Sequence, residues 1–259
     1  MVRYGLEAPY NKNKSHIAAC DIVFIAVPTP TTPQGYDDGI LRAVLPLVGN
    51  KKIAVIKSTL PVGRTRFLQK SFPGIYIVHS PEFLCEATAA QDAAHPSRNI
   101  IGLPHMKPVY TKAAKLIMSV LPNAPYNLIC TSDEAELIKY AHNINGYIQV
   151  VQSNIFYDIA ASFNVKWNVL GDAFKADPFM SHRYLKPVDK KGRGAGGHCF
   201  IKDFEAFIGM FQASVADPSA LAVLEAIRDK NVELLLDSGK DIDLLEGVYG
   251  KAIAVRRKK

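Results

Sequence analysis

Four apolar runs punctuate the first half of the chain: DIVFIAV (21–27), KIAVIK (52–57), GIYIVHS (74–80) and NIIGL (99–103). They are rich in β-branched residues and nearly continuous rather than alternating, the pattern of strands buried on both faces of a parallel sheet. Helical stretches are predicted between them, over 37–48 and 64–70. Strand–helix alternation of this kind predicts right-handed βαβ units and a sheet covered on both sides. From Thr131 onward the period changes. Residues 132–163 carry apolar side chains three and four apart, with Ser132 or Asp133 as cap and acidic residues in the first turn, and predict one long helix. Shorter helices are predicted over 166–176, 203–215 and 218–239, the last opened by Pro218 and stopped by Gly239. The fold class is therefore α/β, a parallel sheet followed by a helical part.

The segments that leave these strands are PTPTTP (28–33), STLPVG (58–63) and SPEFLCE (80–86). If the strands are parallel, these segments gather on the carboxyl edge, where open α/β sheets bind ligands. Thr59, Glu82 and Glu86 then face a shared crevice, or else they are ordinary turn and capping residues. The opening, MVRYGLEAPYNKNKSHIAAC, holds neither a strand signal nor the G-x-G-x-x-G turn of a dinucleotide fold. GRGAGG (192–197) has the G-x-G spacing but follows no strong strand, so it makes a poor phosphate loop.

That glycine cluster runs directly into a thiol, as GRGAGGHCFIKD (192–203). Clustered glycines signal close backbone approach or positive φ. Cys199 beside them is reachable, and Lys202 and Asp203 follow within about one helical turn. The stretch reads as a candidate nucleophile or as a plain surface loop. Lys139 and Asn143 lie four apart on one helix face and are able to donate hydrogen bonds to a developing oxyanion. A cysteine hydrolase would need a histidine oriented by a third group, and the adjacency of His198 to Cys199 does not supply one.

Composition narrows the classes. Of 259 residues, 48% are hydrophobic and 21% charged, the balance of a globular protein with a sizeable core. The formal net charge of +7 is dispersed, apart from a terminal RRKK (256–259) that reads as a solvated end rather than a nucleic-acid patch. Diffuse positive charge suits an anionic substrate such as a nucleotide. The cysteines at 20, 85, 130 and 199 have no C-x-x-C spacing, which argues against a metal site, a redox pair or a disulfide framework. With no signal-type apolar segment and no run of membrane length, a cytoplasmic protein without membrane or nucleic-acid partners is expected.

Five stretches, DIVFIAVPTP, IKSTLPVG, SPEFLCEATAAQDAAHPSRNIIG, AELIKYAHN and GAGGHCFIKD, lie in order within residues 20–235. Jointly they resemble the UDP-glucose/GDP-mannose dehydrogenase family. The resemblance implies a partial Rossmann-like sheet over 1–127, a helical central and dimerisation domain over 128–238, and the start of a nucleotide-binding domain over 239–259. It implies oxidation of the C6 alcohol of a nucleotide sugar, UDP-glucose foremost, in two NAD-dependent steps, by a homodimer joined through the central helices. Cys199 then matches the nucleophile, and Asp203 the carboxylate that helps activate water. Lys139 and Asn143 match the groups that steady the oxyanion and contact substrate, and Thr59 and Glu82 those that hold a water or accept protons. On the cofactor side the resemblance places Pro28, Thr29, Thr59, Glu86 and Lys202. For substrate it adds Phe83, Leu84, Tyr184, Lys186, Gly196 and Gly197.

Departures from the family pattern shape the expectation. The chain opens near the family's fourth strand, without the glycine fingerprint, and YGKAIAV (249–255) resembles the first strand of the nucleotide-binding domain. Ala195 stands where the family usually has an aromatic residue. The family's Arg-Ile-Gly before the glycine loop has no clear counterpart, and Arg183, Tyr184 and Lys186 partly replace it. Weak NAD binding by the chain alone is expected. A catalytically silent assembly module is the alternative to an enzyme.

Overall fold

The structure is a computed structural model, described here for residues 1–181, 183–189 and 192–253. In chain order the strands are β1 (Ile22–Ile25), β2 (Thr31–Thr32), β3 (Gly35–Tyr36), β4 (Ile53–Ile56), β5 (Tyr76–His79), β6 (Arg98–Leu103), β7 (Tyr126–Thr131), β8 (Val188–Asp189) and β9 (Gly192–Arg193). The helices are α1 (Gly39–Val44), α2 (Arg64–Ser71), α3 (Ala89–Ala94), α4 (Pro108–Val120), α5 (Ser132–Ser162), α6 (Trp167–Ala176), α7 (Gly197–Ser214), α8 (Pro218–Ser238) and α9 (Ile242–Tyr249). The chain divides into two units: Met1–Thr29 with Asp37–Lys139, and Pro30–Tyr36 with the chain from Tyr140 onward.

The first unit is built on a five-stranded sheet of order β1-β4-β5-β6-β7. The runs expected as strands are strands, and β4 is buried along its whole length because both of its faces are covered. β1, β4 and β5 are parallel, but β6 meets β5 antiparallel, with His79 opposite Gly102. This corrects the expectation of an all-parallel sheet. The link from β5 to β6 carries a 3-10 turn at 86–88 and α3, neither of which buries a residue. A six-residue helix that buries nothing does not lie across a sheet as a crossover, so the chain turns back instead. β7, parallel to β6, was not anticipated, since YNLICT has only three consecutive apolar residues and lies on a largely exposed edge. The core sets Ile53, Val55, Val78, Ile101 and Leu103 of the sheet against Ala113, Ala114 and Ile117 of α4. The first turns of α5 lie on β6: a Cβ on Gly102 would stand 2.6 Å from the Ala135 Cβ.

In the second unit, Ile144, Tyr147 and Val151 of α5 pack with Phe204 and Ile208 of α7, and the Tyr147 and Phe204 rings stack at 3.9 Å. A neighbouring cluster joins Ile201 of α7 to Val232, Leu235 and Leu236 of α8 and to Leu245 and Val248 of α9. The β2–β3 hairpin belongs to this unit, and the Thr31 hydroxyl donates to the Lys202 carbonyl (3.0 Å).

Three further expectations are corrected. The helix placed over 203–215 begins at Gly197, so Cys199 lies in its first turn rather than in a preceding loop. The helix placed over 37–48 is shorter, giving way after Val44 to a 3-10 turn at Pro46. The strand expected over 249–255 is absent as far as Ile253: Tyr249 ends α9 and 251–253 form a 3-10 turn. Leu245 and Val248 recur at helical spacing and bury against α8, which decides the conformation there. Residues 254–259, with the end of that run and the RRKK tail, lie outside the described residues.

Candidate active site

The residues singled out in the sequence fall into two groups, one in each unit. In the first unit they collect at the carboxyl ends of β1, β4 and β5. The Ser58 hydroxyl accepts from the Val27 N–H (3.0 Å) and donates to the Val27 carbonyl (2.7 Å), and the Thr29 hydroxyl donates to the Thr59 carbonyl (3.0 Å). Two strand exits, carrying Pro28, Thr29 and Thr59, are thereby zipped together by hydroxyl groups. Glu82 is ion-paired with Lys57 (2.7 Å), whose ammonium also donates to the Ser80 hydroxyl (3.0 Å). Phe83 lies under the Arg98 guanidinium at 3.8 Å, with the Lys139 ammonium 5.6 Å from its ring centroid. Two cations near one aromatic ring exploit its negative face. Leu84 is exposed, and Glu86 begins a 3-10 turn at 86–88. His79, fully buried beside Lys57 and Lys139, is pushed down to about 3 chiefly by burial and stays neutral. Its Nδ1 bonds to the Ile56 carbonyl (3.2 Å), which makes Nδ1 the protonated nitrogen.

Behind these exits lies a buried acid, Glu136, on α5. Its carboxylate accepts from the Gly63 N–H (2.6 Å), the Thr65 N–H (2.7 Å) and the Thr65 hydroxyl (2.6 Å). α2 has glycine at its own N-cap and no side-chain cap, so Glu136 serves that end from another helix. This arrangement bears on NAD. A dinucleotide's pyrophosphate is commonly held at the N-terminus of a helix that follows a parallel strand. At α2 those N–H groups are already taken by a carboxylate of the chain. The residues present thus offer strand-exit surfaces but no pyrophosphate cradle at this helix.

In the second unit, Cys199 is exposed at the third position of α7. Asp203 follows one turn later, buried, and accepts from the Asn143 amide (2.6 Å) and the Lys202 ammonium (2.5 Å). His198 and Cys199, consecutive on a helix, project about 100° apart around its axis, which does not suit a thiol–imidazole pair. Tyr184, Lys186, Gly196 and Gly197 line a single cleft of about 330 Å³ together with Lys240 and Asp241.

The glycine cluster before the thiol has a physical explanation. A Cβ on Gly196 would stand 2.1 Å from Asp241 Oδ2, and one on Gly192 2.6 Å from Ser238 Oγ. The turn between α8 and α9 presses on this backbone, and side chains there would exclude it. Gly197, at φ +82°, has nothing within 4 Å of a notional Cβ and is the open position of the loop.

Lys139 and Asn143 are one turn apart on α5, but the unit boundary falls between them. Pro28, Thr29, Thr59, Glu82, Phe83, Leu84, Glu86 and Lys139 belong to the first unit, and Asn143, Tyr184, Lys186, Gly196, Gly197, Cys199, Lys202 and Asp203 to the second. The sequence reading missed Lys57, Arg98, Glu136, Asn231, Lys240 and Asp241. Lys57 had a signal, a charge closing the buried run KIAVIK directly before STLPVG. Asp241 had none, because 44 residues separate it from the amide it meets. Among the described residues no group of three metal-ligating side chains occurs, and no helix is long and apolar enough to cross a membrane.

Comparison with known proteins gives two matches along the chain. Residues 6–118 match the profile of the UDP-glucose/GDP-mannose dehydrogenase family, NAD binding domain, and residues 133–233 match the central domain of the same family. The UDP-glucose 6-dehydrogenase TuaD of Bacillus subtilis is 30% identical over 260 residues, 95% of this chain and 54% of that protein. The UDP-glucose 6-dehydrogenase AglM of Haloferax volcanii is 27% identical over 255 residues, 91% and 57% of the two chains. A UDP-glucose dehydrogenase structure from Pyrobaculum islandicum superposes with a TM-score of 0.71 at 28% identity, covering 88% of this chain and 55% of that one. The chain spans about half the length of the relatives it matches. NAD is the cofactor of the domain type matched by residues 6–118. With both of its matched regions assigned to one lineage of oxidoreductases, the chain belongs to the UDP-glucose/GDP-mannose dehydrogenase family.

Proposed function

We propose that this chain carries the catalytic part of a nucleotide-sugar dehydrogenase that oxidises C6 of UDP-glucose twice, to UDP-glucuronate. The observation that carries the reading is the first turn of α7: an exposed thiol at Cys199, one turn before a buried Asp203 held by Asn143 and Lys202. The thiol adds to the C6 aldehyde, forming a C–S bond while its proton passes to the oxygen. Loss of hydride from the carbon of this thiohemiacetal, with the hydroxyl proton passing to water, gives a thioester. Water then adds, the C–S bond breaks, and the thiol regains a proton as the carboxylate leaves. NAD, when bound, takes the hydride at each oxidation.

Each candidate site residue has a part in this scheme. Asp203 orients the attacking water. Lys139 and Asn143 serve the oxyanion. Glu82, steered by Lys57, and Thr59 hold the water that leaves with the alcohol proton. Tyr184, Lys186 and the Gly196–Gly197 backbone form the sugar-nucleotide side, where the 330 Å³ cleft suits a part of such a ligand. Phe83 and Leu84 contact the substrate, and Pro28, Thr29, Glu86 and Lys202 border the cofactor. In this reading residues 1–127 form the cofactor part, 128–238 the catalytic and dimer-forming part, and 239–259 lead into a nucleotide-binding domain. The protein is cytoplasmic.

The test is NADH formation from UDP-glucose by the purified chain, alone and with a fragment carrying a glycine-rich dinucleotide half. Two NADH per sugar and a uronate product are expected, and Cys199→Ser is expected to halt the reaction at aldehyde oxidation. Absence of NADH under both conditions would refute the enzymatic reading and favour an assembly module.

The homodimer has its own support. Ile155, Ile159 and Phe163 recur every four residues near the end of α5 and are 48%, 54% and 77% exposed, an apolar stripe that continues the four-residue row of Tyr147 and Val151 as it turns out of the core. A second copy is the occupant that this reading assigns. Sedimentation is expected to show a dimer for the wild-type chain and a monomer for Ile159→Asp combined with Phe163→Asp. An unchanged sedimentation coefficient would remove α5 from the interface.

A further inference from the structure

Asp241 occupies the N-cap position of α9, at φ +52° and ψ +39°, a left-handed conformation uncommon for a residue with a side chain. It makes no side-chain cap to its own helix. Its Oδ2 instead accepts from the Gly197 N–H at 2.7 Å, the first residue of α7. α7, with Gly196 at its N-cap, has no side-chain cap of its own. Strained backbone at one helix start thus supplies the missing cap of another.

The neighbours of Asp241 treat the rest of the loop in the same way. Lys240, only 7% exposed, donates to the Gly194 carbonyl (3.0 Å) and pairs with Asp189 (2.6 Å). The Asn231 side chain accepts from the Ala195 N–H (2.6 Å) and donates to the Ala195 carbonyl (3.0 Å). The Ser238 hydroxyl accepts from the Arg193 N–H (3.0 Å). Residues 193, 194, 195 and 197 are therefore each bonded to a side chain from the end of α8 or the turn after it. Four fixed backbone points lead into the turn that carries the thiol, and the last lies two residues before it.

We propose that Asp241 is a positioning residue for the Cys199 thiol, holding the first turn of α7 in one orientation through the Gly197 amide, with Lys240 and Asn231 fixing the approach. The role rests on the reading of Cys199 as nucleophile. Because Asp241 touches the helix start and not the sulfur, it acts through geometry.

The experiment measures two properties of the full chain. One is the alkylation rate of Cys199 by iodoacetamide, with Cys85, the exposed cysteine of the other unit, as internal reference. The other is hydrogen exchange of the peptide spanning 195–199. In Asp241→Ala, exchange of that peptide is expected to quicken about tenfold and Cys199 alkylation to rise about threefold or more, with Cys85 unchanged. Asp241→Asn keeps an oxygen for the Gly197 N–H and is expected to return both readouts to near wild type. Wild-type alkylation of Cys199 in Asp241→Ala, equal changes at both cysteines, or an Asp241→Asn protein that behaves like the alanine variant would each overturn the proposal. If Cys199→Ser retained full turnover, the nucleophile reading would fail, while the labelling and exchange data would still decide what Asp241 does to the loop.

Discussion

Glu136→Ala is expected to destabilise the protein by about 3–5 kcal/mol, because two backbone N–H groups and one hydroxyl would lose their acceptor inside the fold. The side chain is fully buried and makes all three bonds at 2.6–2.7 Å. No residue of α2 can substitute, since the helix begins at a glycine cap and has no acid in its first turn. Urea unfolding followed by far-ultraviolet circular dichroism measures the loss, and a change below about 1 kcal/mol would show that water replaces the carboxylate.

The same residue makes a pH prediction. Burial pushes the Glu136 carboxyl up to about 7 against the pull of its three donors, with Asp133 on the same helix adding to the rise. Asp133 is itself paired with Arg66 of α2. An acid whose proton is held more tightly in the folded chain than its ordinary 4.5 contributes stability that is complete below 4.5 and is lost as pH rises through about 7. His79 works in the opposite sense. Its imidazole, pushed down to about 3, contributes stability that is complete above 6.5 and is lost as pH falls through about 3. Between 4.5 and 6.5 the two slopes offset each other. The stability gap between wild type and Glu136→Gln, which cannot titrate there, isolates the acid. That gap is expected to shrink by about 2–3 kcal/mol between about pH 5 and about pH 8. A gap independent of pH would mean that the three donors keep Glu136 ionised throughout.

Phe204→Ala is expected to cost the second unit about 3–5 kcal/mol, the usual range for removing a buried aromatic ring. Phe204 has no solvent exposure, stacks on Tyr147, and shares its cluster with Ala195 of the glycine loop. The cavity would open beneath the turn that carries Asp203 and Cys199, with little nearby able to collapse into it. Trp167, the single tryptophan and a member of the second unit, reports that unit's unfolding by fluorescence. Phe179→Ala, at a side chain 95% exposed, is expected to change stability by less than about 0.5 kcal/mol and serves as control.

How much of this was legible in the sequence depended on whether the signal was local. Continuous β-branched runs gave β1, β4, β5 and β6, and three-to-four spacing gave α5 and α8, because burial on fixed faces writes a period into the chain. The direction of β6 was not legible, since it depended on what α3 lacked rather than on β6 itself. β7 hid in an edge segment with an apolar run of only three residues. In the candidate site, Cys199, Asp203 and Asn143 were found through short motifs, and the structure joins the last two by a hydrogen bond. Glu136 sat unremarked within AELIKYAHN, because nothing in its neighbourhood says that Gly63 and Thr65 will come to it. Lys240 and Asp241 were equally silent in SGKDID. Contacts between distant segments leave no period to read.

The seven residues Pro30–Tyr36 leave the first unit and return to it, having joined the second, whose main body begins only at Tyr140. The polypeptide therefore passes from one unit to the other three times: after Thr29, after Tyr36 and after Lys139. One proteolytic cut at any of these places would not set the halves free of each other. A recombinant piece starting at residue 140 would arrive without its own hairpin, leaving the Lys202 carbonyl without the Thr31 hydroxyl. The units are laced, not strung, and dissecting this protein calls for a circularly rearranged or co-expressed hairpin rather than a shorter gene.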